Sequence, residues 1–195
     1  MMTMLIQFVN KGEQMAERTL TVKTGGGSSY STGWHTKLIS KAEYGDYNGT
    51  KYLDLWFEDF PESLNMRVYE KKNAGGEEFA IGNIFRYANA GITSALEGAN
   101  NTKVIKLDDS PQALIGKSLN VYVHKDGKYS RVLNQPAPTE FENVVEKFNS
   151  DDVQFWKDRA EKYFREYVQP KIEKKLEATP IETSNTSESN DNIPF

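Results

Sequence analysis

The sequence contains no cysteine and only two histidines among its 195 residues. Without cysteine the chain can form neither disulfides nor thiolate metal sites, and its composition fits a reducing, cytoplasmic environment. His35 and His124 fall in separate predicted strands. A histidine-rich metal site is therefore not expected, and the sequence predicts neither a metal nor another cofactor.

Long apolar runs are also missing, since no stretch approaches the roughly 20 residues that a membrane-spanning helix needs. The apolar residues 1–9 lack both a basic leader and a small-residue cleavage site, so they do not resemble a signal peptide. The sequence therefore predicts no membrane association.

Motifs that carry catalysis are not found. The glycine run at residues 24–29 lacks the Gly-Lys-Ser/Thr of a phosphate-binding loop and is typical of a flexible connection. The acid pair Glu77-Glu78 could hold magnesium, but no second acidic cluster accompanies it. We therefore predict that the protein is not an enzyme. A metal-dependent nuclease is an alternative that the missing acidic cluster disfavours.

The net charge of −4 comes from one end of the chain. The sequence has 24 Lys and Arg against 28 Asp and Glu, and four acids but no basic residue lie beyond Leu176. The rest of the chain is therefore balanced in charge. A balanced body can still present a basic groove, because the local field steers a polyanion.

Composition divides the chain into four zones. Residues 1–17 are a lead-in, and residues 18–138 are rich in β-branched and aromatic residues with glycine-containing turns. Residues 139–178 have a helical pattern. Residues 179–195 carry few apolar side chains, cannot bury enough surface to repay ordering, and are predicted to be disordered.

The second zone predicts a mainly β fold. Alternation is clearest in the second strand, where Leu53, Leu55 and Phe57 share one face. Apolar spacing favours a helix at residues 78–97. Turns are predicted at Asn48-Gly49 and Asp126-Gly127. The predicted strands are residues 33–43, 51–58, 65–70, 118–124 and 128–133. Three strands, a helix and two strands is the element order of an OB-fold, a small β-barrel.

The third zone predicts an added C-terminal helix, capped at Asp151 with Gln154 as the reciprocal partner and broken or kinked at Pro170. An aromatic stripe that includes Trp156 and Phe164 follows its helical spacing. We favour packing of this stripe on its own domain. The alternatives are a subunit interface, which would make residues 139–178 a homo-oligomerisation element, and a DNA-stacking surface.

Aromatic and basic side chains alternate with the core positions of the strands. A protein that binds single-stranded DNA needs flat rings for the bases and cations for the phosphates. Against this, β-barrels are rich in core aromatics, and Asp54 and Glu58 share the face of Tyr52 and Trp56, where they would repel phosphate. The candidate nucleic-acid-binding residues are Trp34, Lys37, Tyr52, Trp56, Arg67, Tyr69, Tyr122, Lys125, Lys128, Tyr129 and Arg131.

The last residues are apolar although the tail before them is polar. We predict that they dock into a pocket on a partner protein. Phe195 would bury its ring, its carboxylate and Asp191 would meet basic residues, and Pro194 would limit the entropy lost on binding. Ile193 is the other apolar residue predicted to bind the partner. The alternative is that Phe195 packs back on the body.

The terminal sequence Asn-Asp-Asn-Ile-Pro-Phe resembles the acidic tip of bacterial single-stranded DNA-binding proteins. Asp191, Ile193, Pro194 and Phe195 match that tip, whereas Asn190 and Asn192 stand where the family commonly has acids. In that family the tip recruits replication, repair and recombination proteins. The resemblance implies the same kind of partner for this chain.

From about residue 33 to residue 133, the body is similar to phage-encoded single-stranded DNA-binding proteins. The motifs that carry the similarity are Gly-Trp-His-Thr-Lys-Leu-Ile-Ser-Lys-Ala-Glu at 33–43, Tyr-Leu-Asp-Leu-Trp-Phe-Glu at 52–58 and Leu-Ile-Gly-Lys-Ser-Leu-Asn-Val-Tyr-Val at 114–123. The resemblance implies an OB-fold without catalysis, acting at a phage replication fork in the bacterial cytoplasm. An OB-like module that binds proteins, as a polymerase or recombinase accessory factor, is the alternative.

Overall fold

Strands dominate the computed structural model of this chain, which describes residues 30–98 and 102–177. The predicted lead-in at residues 1–17 and the predicted tail at residues 179–195, including the docking residues Asp191, Ile193, Pro194 and Phe195, lie outside the described residues. No helix within the described part is both long and apolar enough to cross a membrane.

The elements follow one another in a mainly β order that ends in a helix. The nine strands of the described residues are β1 Gly33–Tyr47, β2 Thr50–Phe57, β3 Met66–Tyr69, β4 Ile92–Glu97, β5 Lys103–Leu107, β6 Ser118–Asp126, β7 Tyr129–Val132, β8 Phe141–Glu142 and β9 Lys147–Phe148. The helices are α1 Ala80–Tyr87, α2 Ser150–Tyr163 and α3 Gln169–Glu177, with a 3₁₀ turn at Pro111–Leu114 and a π-helical turn at Phe164–Val168. The prediction of a mainly β fold with a C-terminal helix is confirmed.

A five-stranded antiparallel sheet, in the order β3-β2-β1-β6-β7, is built around the long strand β1. Residues 33–38 of β1 pair with β6, and residues 39–47 pair with β2. The register shifts between Ile39 and Lys41, which marks a β-bulge at the change of partner. The predicted turn at Asn48-Gly49 joins β1 to β2, and both residues have positive φ, as a tight hairpin requires.

The core lies on one face of this sheet and confirms the predicted alternation. Leu53 and Leu55 are fully buried, and Phe57 is 2 % exposed. The same core includes Met66 and Val68 of β3, Leu119 and Val121 of β6, and Ile84 and Phe85 of α1. Burial of each such side chain stabilises the folded state by about 1.5–3 kcal/mol.

The helix predicted for residues 78–97 is wrong in its second half. Helix α1 ends at Tyr87, and residues 92–97 form β4, paired with the unpredicted strand β5. Asn89 and Gly91 both have positive φ, which stops the helix. Gly91 also approaches Asp108 closely, because its carbonyl accepts a hydrogen bond from the Asp108 N–H at 2.7 Å. A hairpin therefore interrupts the predicted order of three strands, a helix and two strands.

The helical prediction is also wrong for residues 139–149, which contain the short β8–β9 ladder. The N-cap of helix α2 is Asn149, two residues before the predicted cap Asp151. Its reciprocal partner is Asp152 rather than the predicted Gln154. The Asn149 side chain accepts from the Asp152 N–H at 2.9 Å, and the Asp152 carboxylate accepts from the Asn149 N–H at 2.9 Å. This reciprocal pair satisfies two N–H groups of the first turn that would otherwise lack partners.

Pro170 does not break the helix, which continues through α3 to Glu177. The π-helical turn at Phe164–Val168 precedes it directly. Proline has no N–H and crowds the carbonyl four residues earlier, so a locally widened turn accommodates it without ending the helix.

The aromatic stripe of the C-terminal helix packs on the same domain, which was the favoured interpretation. The Trp156 ring lies 5.1 Å from that of Tyr87, and the Phe164 ring lies 5.5 Å from Tyr122 and 5.0 Å from His124. Ala160 between them is 2 % exposed. Homo-oligomerisation through residues 139–178 stays a prediction.

The close approach at Gly91 predicts a stability effect. A Cβ at Gly91 would lie 2.0 Å from the Asp108 carbonyl oxygen, whereas a Cβ at Gly76, which also has positive φ, would meet nothing within 4 Å. We expect Gly76→Ala to lower the free energy of unfolding by about 1 kcal/mol through its backbone conformation alone. Gly91→Ala should cost about 2 kcal/mol more, because the hairpin must move. Urea denaturation of both variants measures the difference, and equal losses would contradict it.

Candidate nucleic-acid interface

The eleven predicted nucleic-acid-binding residues do not form one surface. Tyr52, Trp56, Arg67 and Tyr69 share the face of β2 and β3 opposite the core. Trp34 and Tyr122 lie under the C-terminal helix. Lys125, Lys128, Tyr129 and Arg131 lie on the β6–β7 hairpin. Lys37 pairs in register with the core residue Leu119 and so points away from the face of Trp34.

The first group belongs to what we name the outer face, formed by Lys41, Glu43, Gly45, Tyr52, Asp54, Trp56, Arg67 and Tyr69. Cross-strand register arranges it in three rows, which are Lys41–Trp56, Glu43–Asp54–Arg67 and Gly45–Tyr52–Tyr69. Lys41 was not predicted. The bulge after Ile39 reverses which residues of β1 point outward. The alternation of inward and outward residues therefore differs between Trp34–Ile39 and Lys41–Gly45, and this difference is the sequence signal that reveals the bulge.

A cation lies over an aromatic ring in two places on the outer face. The Lys41 Nζ lies 4.4 Å from the centre of the Trp56 ring, and the Arg67 Cζ lies 3.8 Å from that of Tyr52. The Tyr52 and Tyr69 rings meet edge to face at 5.6 Å. The Tyr52 ring also lies over Gly45, where an added Cβ would come within 2.3 Å of it. Glycine at position 45 is therefore required for this arrangement.

The acidic groups of the outer face are paired. Arg67 donates two hydrogen bonds to the Asp54 carboxylate, at 2.8 Å from Nε and 2.6 Å from Nη2. Asp54 is 6 % exposed beneath this guanidinium, and its hydrogen bonds raise the pKa of Arg67 above the usual value. Glu43 pairs with Lys41 at 3.0 Å. Arg67 therefore compensates the charge of Asp54 that was expected to repel phosphate, while Glu58 is exposed just beyond β2.

The rings of Trp34 and Tyr122 are occupied by the protein itself. The Trp34 indole N–H donates to Glu161 at 2.8 Å, and Lys157 lies 5.6 Å from the ring. Tyr122 lies between Trp34 at 5.4 Å and Phe164 at 5.5 Å, and burial raises the pKa of its hydroxyl. Both side chains hold the C-terminal helix on the sheet.

The remaining predicted cations lie apart from the outer face or at its edge. Lys37 pairs with Asp59 at 3.2 Å, and Lys125 donates to the Ser130 hydroxyl at 2.9 Å. Tyr129 is 57 % exposed, with Lys128 5.4 Å and Arg131 5.9 Å from its ring. A cleft of about 400 Å³ brings Arg131 of β7 to the same opening as Arg67 of β3 and His124. The hairpin and the outer face therefore meet at this cleft.

Within the described residues, no group of three His, Asp or Glu side chains is placed to hold a metal ion. The chain was compared with protein-family models, with curated proteins and with solved structures, and none of them matches it.

Burial of His124 predicts a pH dependence of stability. The ring is 6 % exposed, and burial lowers its pKa, outweighing the nearby charge of Asp126. The folded state therefore favours the neutral ring, and the stability that this ring contributes is lost as the pH falls below the ordinary histidine value of about 6.5.

Urea denaturation at pH of about 7.5 and about 5.5 tests this expectation. The unfolding free energy of the parent protein should fall between the higher and the lower pH, and this fall should be smaller in His124→Gln. His35→Gln is the matched control, because it removes the other histidine, and it should keep the full fall. An identical pH dependence in the parent and in His124→Gln would contradict the prediction.

Proposed function

We propose that this chain is a nucleic-acid-binding protein, and that its ligand is single-stranded DNA bound with little sequence preference. The observation that carries the proposal is the outer face, where Trp56, Tyr52 and Tyr69 follow one another on two neighbouring strands with Lys41 and Arg67 beside the rings. Unpaired bases present flat faces that stack on such rings, whereas a duplex keeps its bases enclosed.

The sheet supports an OB-type barrel as the scaffold. Five antiparallel strands in the order β3-β2-β1-β6-β7, with α1 after β3, are those of a Greek-key barrel that would close between β3 and β7. No hydrogen-bonded pair joins β3 to β7 within the described residues. In OB-folds the second and third strands form the usual ligand face, and the outer face lies on these strands.

Binding by stacking requires Lys41 to move away from the Trp56 ring. A base that stacks on Trp56 takes the place of Lys41, whose flexible side chain then turns toward a phosphate. Arg67 stays with Asp54, because leaving that carboxylate unpaired while buried is costly. Trp56 is therefore the first platform for a base, and Tyr69 is the next, because Arg67 stays over the Tyr52 ring.

The proposal extends to partners and setting on the strength of the resemblances in sequence. The tip at residues 191–195 would recruit replication, repair and recombination proteins, and the protein would act on phage DNA in a bacterial cytoplasm. An OB-like module that binds proteins rather than DNA is the second candidate. It is favoured by the pairing of Lys41 with Glu43 and of Arg67 with Asp54, which leaves the outer face without excess positive charge.

Fluorescence anisotropy of a labelled oligo-dT, with a matched duplex as competitor, tests the proposal at low and moderate salt. We expect salt-sensitive binding that the duplex does not displace. Trp56→Ala should weaken it roughly tenfold, the effect of one lost stacking contact. Tyr167→Ala is the control, since it removes an aromatic ring that is 56 % exposed on the C-terminal helix, and it should bind like the parent. Absence of binding at low salt would favour the protein-binding module.

Deletion of residues 191–195 tests whether the tip opposes DNA binding. The acidic tip and bound DNA would repel each other, so the shortened chain should bind oligo-dT as tightly as the full chain or more tightly. A chain with the same five residues in scrambled order controls for length and composition. Weaker DNA binding by the shortened chain would contradict this repulsion between the tip and DNA.

A further inference from the structure

A second cleft, which we name the helix cleft, lies beside β3 and has a volume of about 370 Å³. Its walls come from β3, from α1, from the segment that follows β7 and from α2. Tyr69 belongs both to its lining and to the outer face, where its ring contacts Tyr52. The helix cleft therefore continues the outer face around the edge of the sheet.

The charge of the helix cleft is positive. Lys71, Arg86 and Arg159 line it, and no Asp or Glu is among the described residues that do so. Arg86 is bound to Glu146 at 2.5 Å, which compensates its charge. The side chains of Lys71 and Arg159 form no hydrogen bond or ion pair with the described residues. Two cations are therefore available to an anionic ligand.

Flat rings and open amides accompany these cations. Trp156 packs on Tyr87 and has Arg159 5.2 Å from its ring, and Phe79 is 45 % exposed at the rim. The amide side chains of Asn83, Asn134 and Gln135 line the cleft and have no hydrogen-bond partner among the described residues. Such amides can donate to and accept from the edge of a nucleobase.

We infer that the helix cleft binds one nucleotide of the DNA strand that lies on the outer face. Lys71 and Arg159 hold its phosphate, Trp156 and Phe79 contact its base, and the amides meet the base edge. The volume is near the lower end for small-molecule sites, which suits a single nucleotide. The inference deepens the proposed function and rests on it, because it names the part of the chain that supplies the positive charge missing from the outer face.

The three tryptophans of the chain allow the two surfaces to be tested separately. In the ¹⁵N-labelled full chain, the indole N–H of Trp56 reports on the outer face and that of Trp156 on the helix cleft. Trp34, bound to Glu161, is the internal control. Titration with oligo-dT, and separately with dTMP, should shift the Trp56 and Trp156 resonances and leave Trp34 in place.

The outcomes separate the inference from the proposed function. A shift of Trp56 without Trp156 would overturn the helix cleft while the outer face stands. A shift of Trp156 alone would support the cleft and remove the outer face from the proposal. A Trp156 resonance that moves on deletion of residues 191–195 but not with oligo-dT would assign the cleft to the end of the chain itself, and would also overturn the inference.

Charge reversal supplies the second readout. Arg159→Glu should abolish the Trp156 shift with dTMP and weaken oligo-dT binding roughly tenfold or more, because a phosphate contact becomes a repulsion. Lys174→Glu is the matched control, since it makes the same change in net charge on the exposed helix α3. Equal losses in the two variants would show that only overall charge matters and would overturn the cleft as a specific site.

Discussion

The bulge between Ile39 and Lys41 in β1 is the constraint on which the rest of the structure depends. This strand is the only one of the five-stranded sheet that pairs with both β2 and β6, and it changes partner at the bulge. The extra residue lets the sheet turn sharply while Ile39 and Ala42 both stay in the core. The same shift moves Lys41 to the outer side beside Trp56. One irregular position therefore determines which residues of β1 face the core and which belong to the outer face.

The two halves of the outer side of the sheet have different roles because the C-terminal helix covers only one of them. On the β6 half, Glu161 and Phe164 occupy the rings of Trp34 and Tyr122. On the β2–β3 half, none of the helices in the described part of the chain covers Trp56 or Tyr52, and their neighbours there are the cations Lys41 and Arg67. The helix thus reduces the aromatic surface open to a ligand, but it also brings Trp156 and Arg159 to the edge of β3, where they extend that surface.

Patterns within a strand or turn were predictable from the sequence, and features created by distant contacts were not. Alternation identified β2 and its core side because Leu53, Leu55 and Phe57 face one continuous core. The end of α1 depends on the approach of Gly91 to Asp108, which no local pattern contains. The helix cleft joins Tyr69, Asn83 and Trp156 from separate elements, so periodicity could not reveal it. Trp34 was predicted to bind DNA, but the helix that covers it, through Glu161, lies more than a hundred residues later in the sequence, where no local pattern could reveal it.

Under the proposed function, the pair that Arg67 forms with the buried Asp54 at the centre of the outer face favours contacts with bases over contacts with phosphates. Asp54 is nearly inaccessible, and its carboxylate accepts hydrogen bonds from Nε and Nη2 of Arg67. A phosphate therefore cannot replace Asp54 as the partner of Arg67 without leaving a buried carboxylate unpaired. The pair also holds the guanidinium over the Tyr52 ring, which lies between Arg67 and Gly45. The held Tyr52 ring meets Tyr69 edge to face, and an ordered Tyr69 would lose little side-chain entropy on stacking with a base. In the proposed complex, phosphates would contact side chains that have no internal partner among the described residues, and Lys71 and Arg159 of the helix cleft meet that requirement next to Tyr69.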